Sequence, residues 1–279
     1  MLVSKLKKIL NPYINHVRKL QIKPIIRHYD KDIVISSWSG ASFYEKYFTA
    51  FDIPPPLKFN PQGVARSNFI GAEVAGVAGK VVVDFKEFIT GYLGENVRLD
   101  DAYMFWFDPD KVTDWSLSNS WHDDNVGSRI KVFVCFEGCG NTPTMVVPNS
   151  HNKPYSPRKE ELSRFAGVRD IKDVENQVAL RYKSGDLAMF DTSCLHRGLY
   201  EQPSAKRTVL VLEFIDRDKS NRIVGYAPCG PGMSKVGEVL FDEDAFNTLR
   251  ATGMLDESLI SCEDGMYIYS LRNSKKTKR

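Results

Sequence analysis

The stretch SWHDDNVGSRIKVFVCFEGCGN, residues 120–141, decides how this chain is read. Its second half, RIKVFVCFE, alternates β-branched and aromatic residues and reads as a strand. Ile130, Val132 and Val134 point to one side; Lys131, Phe133 and Cys135 point to the other. One set faces a cavity, and the set with the polar residue is the candidate lining. His122 and Asp124 stand just before this strand. In an extended segment residues i and i+2 share a side, so both can reach one cation from adjacent corners. Asp123 then points away, to solvent or to a hydrogen bond that orients the ligands.

Outward from this strand the texture persists. DAYMFWFD, RIKVFVCFE, TPTMVVPN, QVALRY, DLAMFD and RTVLVLEFIDRD are short β-rich runs bounded by turn residues. They predict a sandwich or small barrel. Helices are predicted at 2–10, 41–52, 85–96, 158–166 and 243–253. The stretch IPPPLKFNPQG (53–63) is excluded from regular structure by its three consecutive prolines. The expected division is a helical and loop region over 1–97, a β core over 98–216 and an extension over 217–279.

Charge excludes one class of partner. The 279 residues carry a net charge of +3, but residues 1–28 hold seven basic residues and no acid, and the last five hold four more. Without those eleven, 27 basic residues stand against 35 acidic ones, leaving the body at −8. A nucleic-acid partner is not expected. The apolar face of 2–10 (Leu2, Leu6, Ile9, Leu10) packs on the domain or, as the alternative, makes weak peripheral contact with a membrane. Five scattered cysteines without a CxxC pair fit neither a disulfide framework nor a zinc site and point to the cytoplasm. Nothing in the sequence sets an oligomeric state.

A third partner for His122 and Asp124 must come from the remaining histidines. His16 and His28 lie in the basic segment, which leaves His151 or His196. His196 follows the strand DLAMFD, and Arg207 opens the next one. Two histidines and a carboxylate on a β scaffold suit non-haem Fe(II) with open positions for O2. The guanidinium fork of Arg207 suits a carboxylate.

His122-x-Asp124, MVVPNSHN (145–152), His196, and Arg207 eleven residues later resemble the phytanoyl-CoA dioxygenase type of Fe(II)/2-oxoglutarate-dependent dioxygenases. The resemblance covers roughly residues 98–216, with Asn149 where that family usually has Gly. Asn also enters left-handed backbone conformations. The resemblance implies a mainly β fold with flanking helices, a double-stranded β-helix or jelly roll. It also implies an oxidoreductase that takes Fe(II), 2-oxoglutarate and O2 and hydroxylates an aliphatic C–H of a small or carrier-linked metabolite. His122, Asp124 and His196 would be the metal and catalytic set, and Arg207 would bind the cosubstrate. Lys131 is a further candidate for an anionic cosubstrate or substrate, an outward-facing lysine being the alternative. His151 is expected near the mouth. Trp106, Trp115 and Trp121 are read as core, with a channel lining as the alternative. A jelly-roll binding protein without catalysis, or a metal-dependent hydrolase or isomerase that uses no 2-oxoglutarate, are the rival readings.

Overall fold

The computed structural model describes residues 33–36, 58–113, 121, 129–148, 177–192, 194–198, 205–217 and 238–270. The helices predicted at 2–10, 41–52 and 158–166, the proline run of 54–56, and His151 and Trp115 lie outside these residues. In chain order the strands are β1 (Ile33–Ser36), β2 (Gln62–Ser67), β3 (Phe69–Ile70), β4 (Val97–Val112), β5 (Arg129–Glu137), β6 (Thr144–Val146) and β7 (Val178–Leu180). They continue as β8 (Leu187–Asp191), β9 (His196–Gly198), β10 (Arg207–Asp216), β11 (Glu238–Phe241), β12 (Ile260–Glu263) and β13 (Met266–Ser270). The helices are α1 (Ala72–Leu93) and α2 (Glu243–Arg250).

Three sheets form. The main one has the order β1-β8-β5-β10-β4-β2, a second has β7-β6-β9, and a third has β12-β13-β11-β3. The chain lays β4 and β5 in the main sheet and β6 and β7 in the second. It returns to the main sheet for β8, crosses for β9, and threads β10 between β4 and β5. This winding between two antiparallel layers is a double-stranded β-helix, the fold class the sequence implied. RIKVFVCFE coincides with β5, and the other five predicted strands are present, although β4 runs four residues beyond DAYMFWFD at each end.

Both faces of the main sheet are covered, which is why RTVLVLEF is nearly continuous in apolar residues. Val209 and Val211 pack inward with Tyr103, Cys135, Val146, Leu180 and Phe190. Leu210, Leu212 and Phe214 pack outward against α1 and the third sheet. Helix α1 buries Val74, Ala75, Val77, Ala78, Val81, Val82, Ile89 and Leu93, a stripe at helical spacing. Each Val, Ile or Leu among them contributes about 1.5–3 kcal/mol on burial. The prediction at 85–96 captured only the second half of this helix, which ends where expected. Gly94 takes φ +104 and its N–H donates to the Thr90 carbonyl at 2.7 Å. The Tyr92 hydroxyl donates to Asp191 at 2.7 Å, tying the helix end to the end of β8. No helix among the described residues is long and apolar enough to cross a membrane.

One carboxylate starts both helices. Asp242 caps α2 by accepting from the Ala245 N–H at 2.8 Å, and its other oxygen accepts from the Ala72 N–H of α1 at 3.1 Å. The predicted late helix is shorter than 243–253, because the chain turns after Arg250 and Gly253 takes φ +73. Asp242→Ala should therefore cost about 1–3 kcal/mol, more than one ordinary cap. Asp244→Ala, at an exposed position of the same helix, should cost under about 0.5 kcal/mol. Urea unfolding of the two variants checks the difference.

Candidate functional site

The inward face of β10 sets out the interior. Arg207, Val209, Val211 and Glu213 alternate along it, opposed on β4 by Phe107, Phe105, Tyr103 and Asp101. On β5, Val209, Val211 and Glu213 face Cys135, Phe133 and Lys131. The set Lys131, Phe133 and Cys135 is thus the inward one, as the sequence suggested. Arg207 and Glu213 lie six residues apart, about 20 Å along the strand. The rows between them are apolar.

Arg207 is buried at 5% exposure. Its Nη1 donates to the Thr142 carbonyl at 3.1 Å and the Thr144 hydroxyl at 3.2 Å, and Nη2 donates to the Tyr182 hydroxyl at 3.2 Å. The guanidinium carbon lies 5.1 Å from the centroid of the Phe133 ring and 6.0 Å from that of Phe105. The turn after β5 makes this possible. Gly138 takes φ +72, and a Cβ there would stand 1.7 Å from the Lys206 carbonyl oxygen. Only glycine fits, and its own carbonyl accepts from the N–H groups of Asn141 and Thr142. The turn brings Cys139 to the same place. The Cys139 thiol is pushed up by burial, but the hydrogen bond from Cys135 and the charge of Arg207 outweigh that and hold it below its usual value. Cys135 is pushed up, first by its hydrogen bond to Cys139 and then by burial.

His196, 5% exposed, sits on β9 opposite Val146. Its Nδ1 lies 2.9 Å from the Cys194 carbonyl. A carbonyl only accepts, so Nδ1 carries the proton and Nε2 is the basic nitrogen. The turn that supplies this carbonyl is closed by the Cys194 N–H on the Asp191 carbonyl at 2.9 Å. The imidazole meets the Phe190 ring at 5.1 Å and 63°, and Phe190 meets Phe133 at 5.5 Å. A path of ring contacts therefore runs from His196 through Phe190 and Phe133 to Arg207.

At the other end of the interior, Glu213 accepts from Arg129 at 2.8 Å, Lys131 at 3.2 Å and the Tyr103 hydroxyl at 3.2 Å. A bulge in β4 aligns Asp101 with Glu213 and Leu99 with Phe214, so Asp100 is the extra residue. Asp100 meets Arg129 at 3.4 Å, and Asp101 meets Arg66 at 2.7 Å. The Arg66 guanidinium stacks 3.5 Å over the Tyr103 ring. Burial pushes Asp101 up to about 7 against the pull of Arg66.

Of the predicted site residues, Arg207 and Lys131 line the interior from the main sheet and His196 lines it from the second sheet. His122 and Asp124 lie outside the described residues. Among the described residues no three His, Cys, Asp or Glu side chains cluster to hold a metal ion. Trp106 is in the outer core and Trp121 is buried at 1%. Trp121 packs with Met145, Val147, Ala179 and Leu195, and the Arg197 guanidinium stacks 4.9 Å from its ring. Sequence reading missed Thr144, Tyr182 and Cys139, whose convergence depends on the Gly138 turn. It also missed Glu213, for which a signal existed: an acid at an inward position of an otherwise apolar strand.

No family model matches the chain. No curated protein matches it. Among solved structures, EvdMO1 is 22% identical over 47% of this chain with a TM-score of 0.36, and the match spans 30% of that protein. SnoN, a non-haem α-ketoglutarate-dependent epimerase from nogalamycin biosynthesis, is 12% identical, with 78% of this chain and 96% of SnoN covered and a TM-score of 0.47. EctD from S. alaskensis, crystallised with bound Fe, is 14% identical, with 71% and 77% covered and a TM-score of 0.47. Identities and scores this low identify no reaction for this chain.

The Asp101 carboxyl carries a pH prediction. A folded pKa raised to about 7, well above the usual carboxylate range, means that folding favours the protonated form. Its contribution to stability is full below the unfolded pKa and lost as pH rises through about 7. At pH 5 folded Asp101 is mostly protonated, so Asp101→Asn, which keeps a neutral acceptor for Arg66, should be close to wild type in stability. Towards pH 8 the stability of the variant relative to wild type should rise by on the order of a few kcal/mol. Thermal melts across this range check the sign.

Proposed function

We propose that this chain is a non-haem Fe(II)- and 2-oxoglutarate-dependent oxygenase of the phytanoyl-CoA dioxygenase type, hydroxylating an aliphatic C–H of a small or carrier-linked metabolite. The observation that carries this reading is the interior shared by His196 on the second sheet and Arg207 on the main sheet. One offers a basic imidazole nitrogen of fixed tautomer, the other a buried guanidinium ringed by hydroxyls, and aromatic rings connect them. Imidazole of this kind fits Fe(II), and a guanidinium fork with hydroxyl neighbours fits the far carboxylate of a dicarboxylate.

Trp121 supports the ligand roles of its neighbours. Met145 opposes both Ala179 and Arg197 in the second sheet, while Val146 opposes His196. Trp121 packs on the Met145 and Arg197 side, so its ring is on the outward face. In an extended chain, positions 122 and 124 would share the opposite side, the one His196 occupies. His122, Asp124 and His196 would then hold the metal, which supplies O2 activation when bound. Arg207 would anchor the cosubstrate, with the Thr144 and Tyr182 hydroxyls adding hydrogen bonds and Phe105 and Phe133 keeping water from that end. Lys131, held by Glu213, would meet a polar group of the substrate rather than the cosubstrate, since its row is far from Arg207.

The test is an anaerobic visible spectrum of the protein with Fe(II) and 2-oxoglutarate. A weak metal-to-ligand charge-transfer band in the green is expected, absent in His196→Ala. Arg207→Ala should weaken 2-oxoglutarate binding about thirty- to a hundredfold, the scale of a charged hydrogen-bond pair. Folded, iron-binding wild type without the band would remove 2-oxoglutarate and favour the hydrolase or isomerase reading.

A further inference from the structure

The function proposed above gives roles to His196 and Arg207 but none to the ring that touches the imidazole. Phe190 is 1% exposed and lies on the inward face of β8, where it packs with Val146, Val209 and Val211. It pairs with Lys131 of β5, while Ala188, the preceding inward residue of β8, pairs with Phe133. Phe133 and Phe190 are therefore diagonal neighbours across the two strands, within reach of aromatic side chains. With only a methyl group at Ala188, the two rings meet at 5.5 Å and 55°. The His196 imidazole comes to Phe190 from the second sheet. Its Nδ1–H donates to the Cys194 carbonyl at 2.9 Å. That bond sets the tautomer and one corner of the ring, and by itself lets the ring pivot about that corner. Phe190 supplies a second contact at the body of the imidazole, 5.1 Å between centroids at 63°. An edge-to-face pair prefers an angle as well as a distance, so it restrains the plane of the imidazole. An aliphatic neighbour would restrain only its position.

We propose that Phe190 is a positioning residue for the metal site: its ring holds the plane of the His196 imidazole, and with it the direction of the Nε2 lone pair. The inference rests on the ligand role given to His196 above. A metal bond needs that lone pair aimed at the ion, and the groups behind a ligand histidine set its aim. An imidazole that must stop pivoting when the ion arrives gives up part of its binding free energy to ordering. The Phe190 contact removes that cost beforehand. Phe133 continues the support, since it meets Phe190 on one side and the Arg207 guanidinium at 5.1 Å on the other. The imidazole is thus held from the main sheet although it belongs to the second.

The experiment compares the full wild-type chain with Phe190→Leu, Phe190→Met and Phe136→Leu. Phe136 is 2% exposed on the same β layer but belongs to the outer core, so its variant reports the loss of a buried ring away from the site. Anaerobic Fe(II) titration against a competing chelator reads iron affinity. The visible spectrum with Fe(II) and 2-oxoglutarate reads the geometry of the bound metal, and urea unfolding reads stability. Both Phe190 variants should bind Fe(II) about three- to tenfold more weakly, the scale of one aromatic pair. Their charge-transfer band should move from the wild-type position. Phe190→Met keeps a long apolar side chain without a ring, so it answers if Phe190→Leu does not fold. Phe136→Leu should lose comparable stability, with iron affinity within about twofold of wild type and an unmoved band. Folded Phe190 variants with wild-type iron affinity and band overturn the inference. So does Phe136→Leu weakening iron as much as Phe190→Leu, because the effect then belongs to general stability. Wild type that binds iron without the band overturns the proposed function, and the iron affinities alone then decide on Phe190. Wild type that binds no iron overturns both.

Discussion

Glu213 is the residue on which the interior depends. A lone buried carboxylate would cost several kcal/mol, so the strands around β10 must supply donors where it points. They supply Arg129 and Lys131 from β5 and the Tyr103 hydroxyl from β4. Arg129 also meets Asp100 at the β4 bulge, and Asp101 beside it pairs with Arg66. Without the extra residue of the bulge, alternation would send one of these two aspartates to the outer face, among Leu212, Phe214 and the side chains of α1. The bulge, the register of β10 and the charge pairs are one arrangement. A register slip of one residue would bury Glu213 outward in an apolar layer.

That constraint explains the two-layer core. With the ionic cluster confined to one end of the inward face, the rest of that face is apolar and closes on the second sheet. The outward face is mainly apolar, and α1 covers it with small residues. Gly79 is where α1 comes near Thr248 of α2; a Cβ there would approach its methyl group to 3.3 Å. Asp242 then fixes both helix starts from one position. The carboxylate of Asp191 binds the Tyr92 hydroxyl, and the turn after it sets His196, so the end of the helix and the candidate ligand share one anchor.

The legibility of the sequence follows the same lines. Long strands with strong alternation or continuous burial were readable, as RIKVFVCFE and RTVLVLEF were. The first half of α1 was not, because AEVAGVAGK carries two glycines that weaken a helical pattern and whose value lies in packing. Strands β2 and β9 were missed for another reason. Gln62–Ser67 has little apolar content, and its place at the edge beside β4 rests on pairing. His196–Gly198 is three residues long and exists as a strand only through β6. At the site, Arg207 was legible because it opens RTVLVLEF, and His196 because it follows the strand DLAMFD. Thr144, Tyr182 and Cys139 come from three separate segments, and only the tight turn at Gly138 brings them to Arg207.

The two ends of the interior are electrostatic opposites, and the difference decides what each can do. Around Glu213 the partners are cations and a hydroxyl, fixed on both sides by further carboxylates. Such a cluster resists exchange, because drawing one member towards a ligand leaves another buried charge unbalanced. Around Arg207 the carbonyl of Thr142 and the hydroxyls of Thr144 and Tyr182 are uncharged, and hydroxyls can turn from accepting to donating. An arriving carboxylate could take the guanidinium and gain two hydroxyl donors. The fold thus keeps one end stiff and leaves the other able to receive an anion.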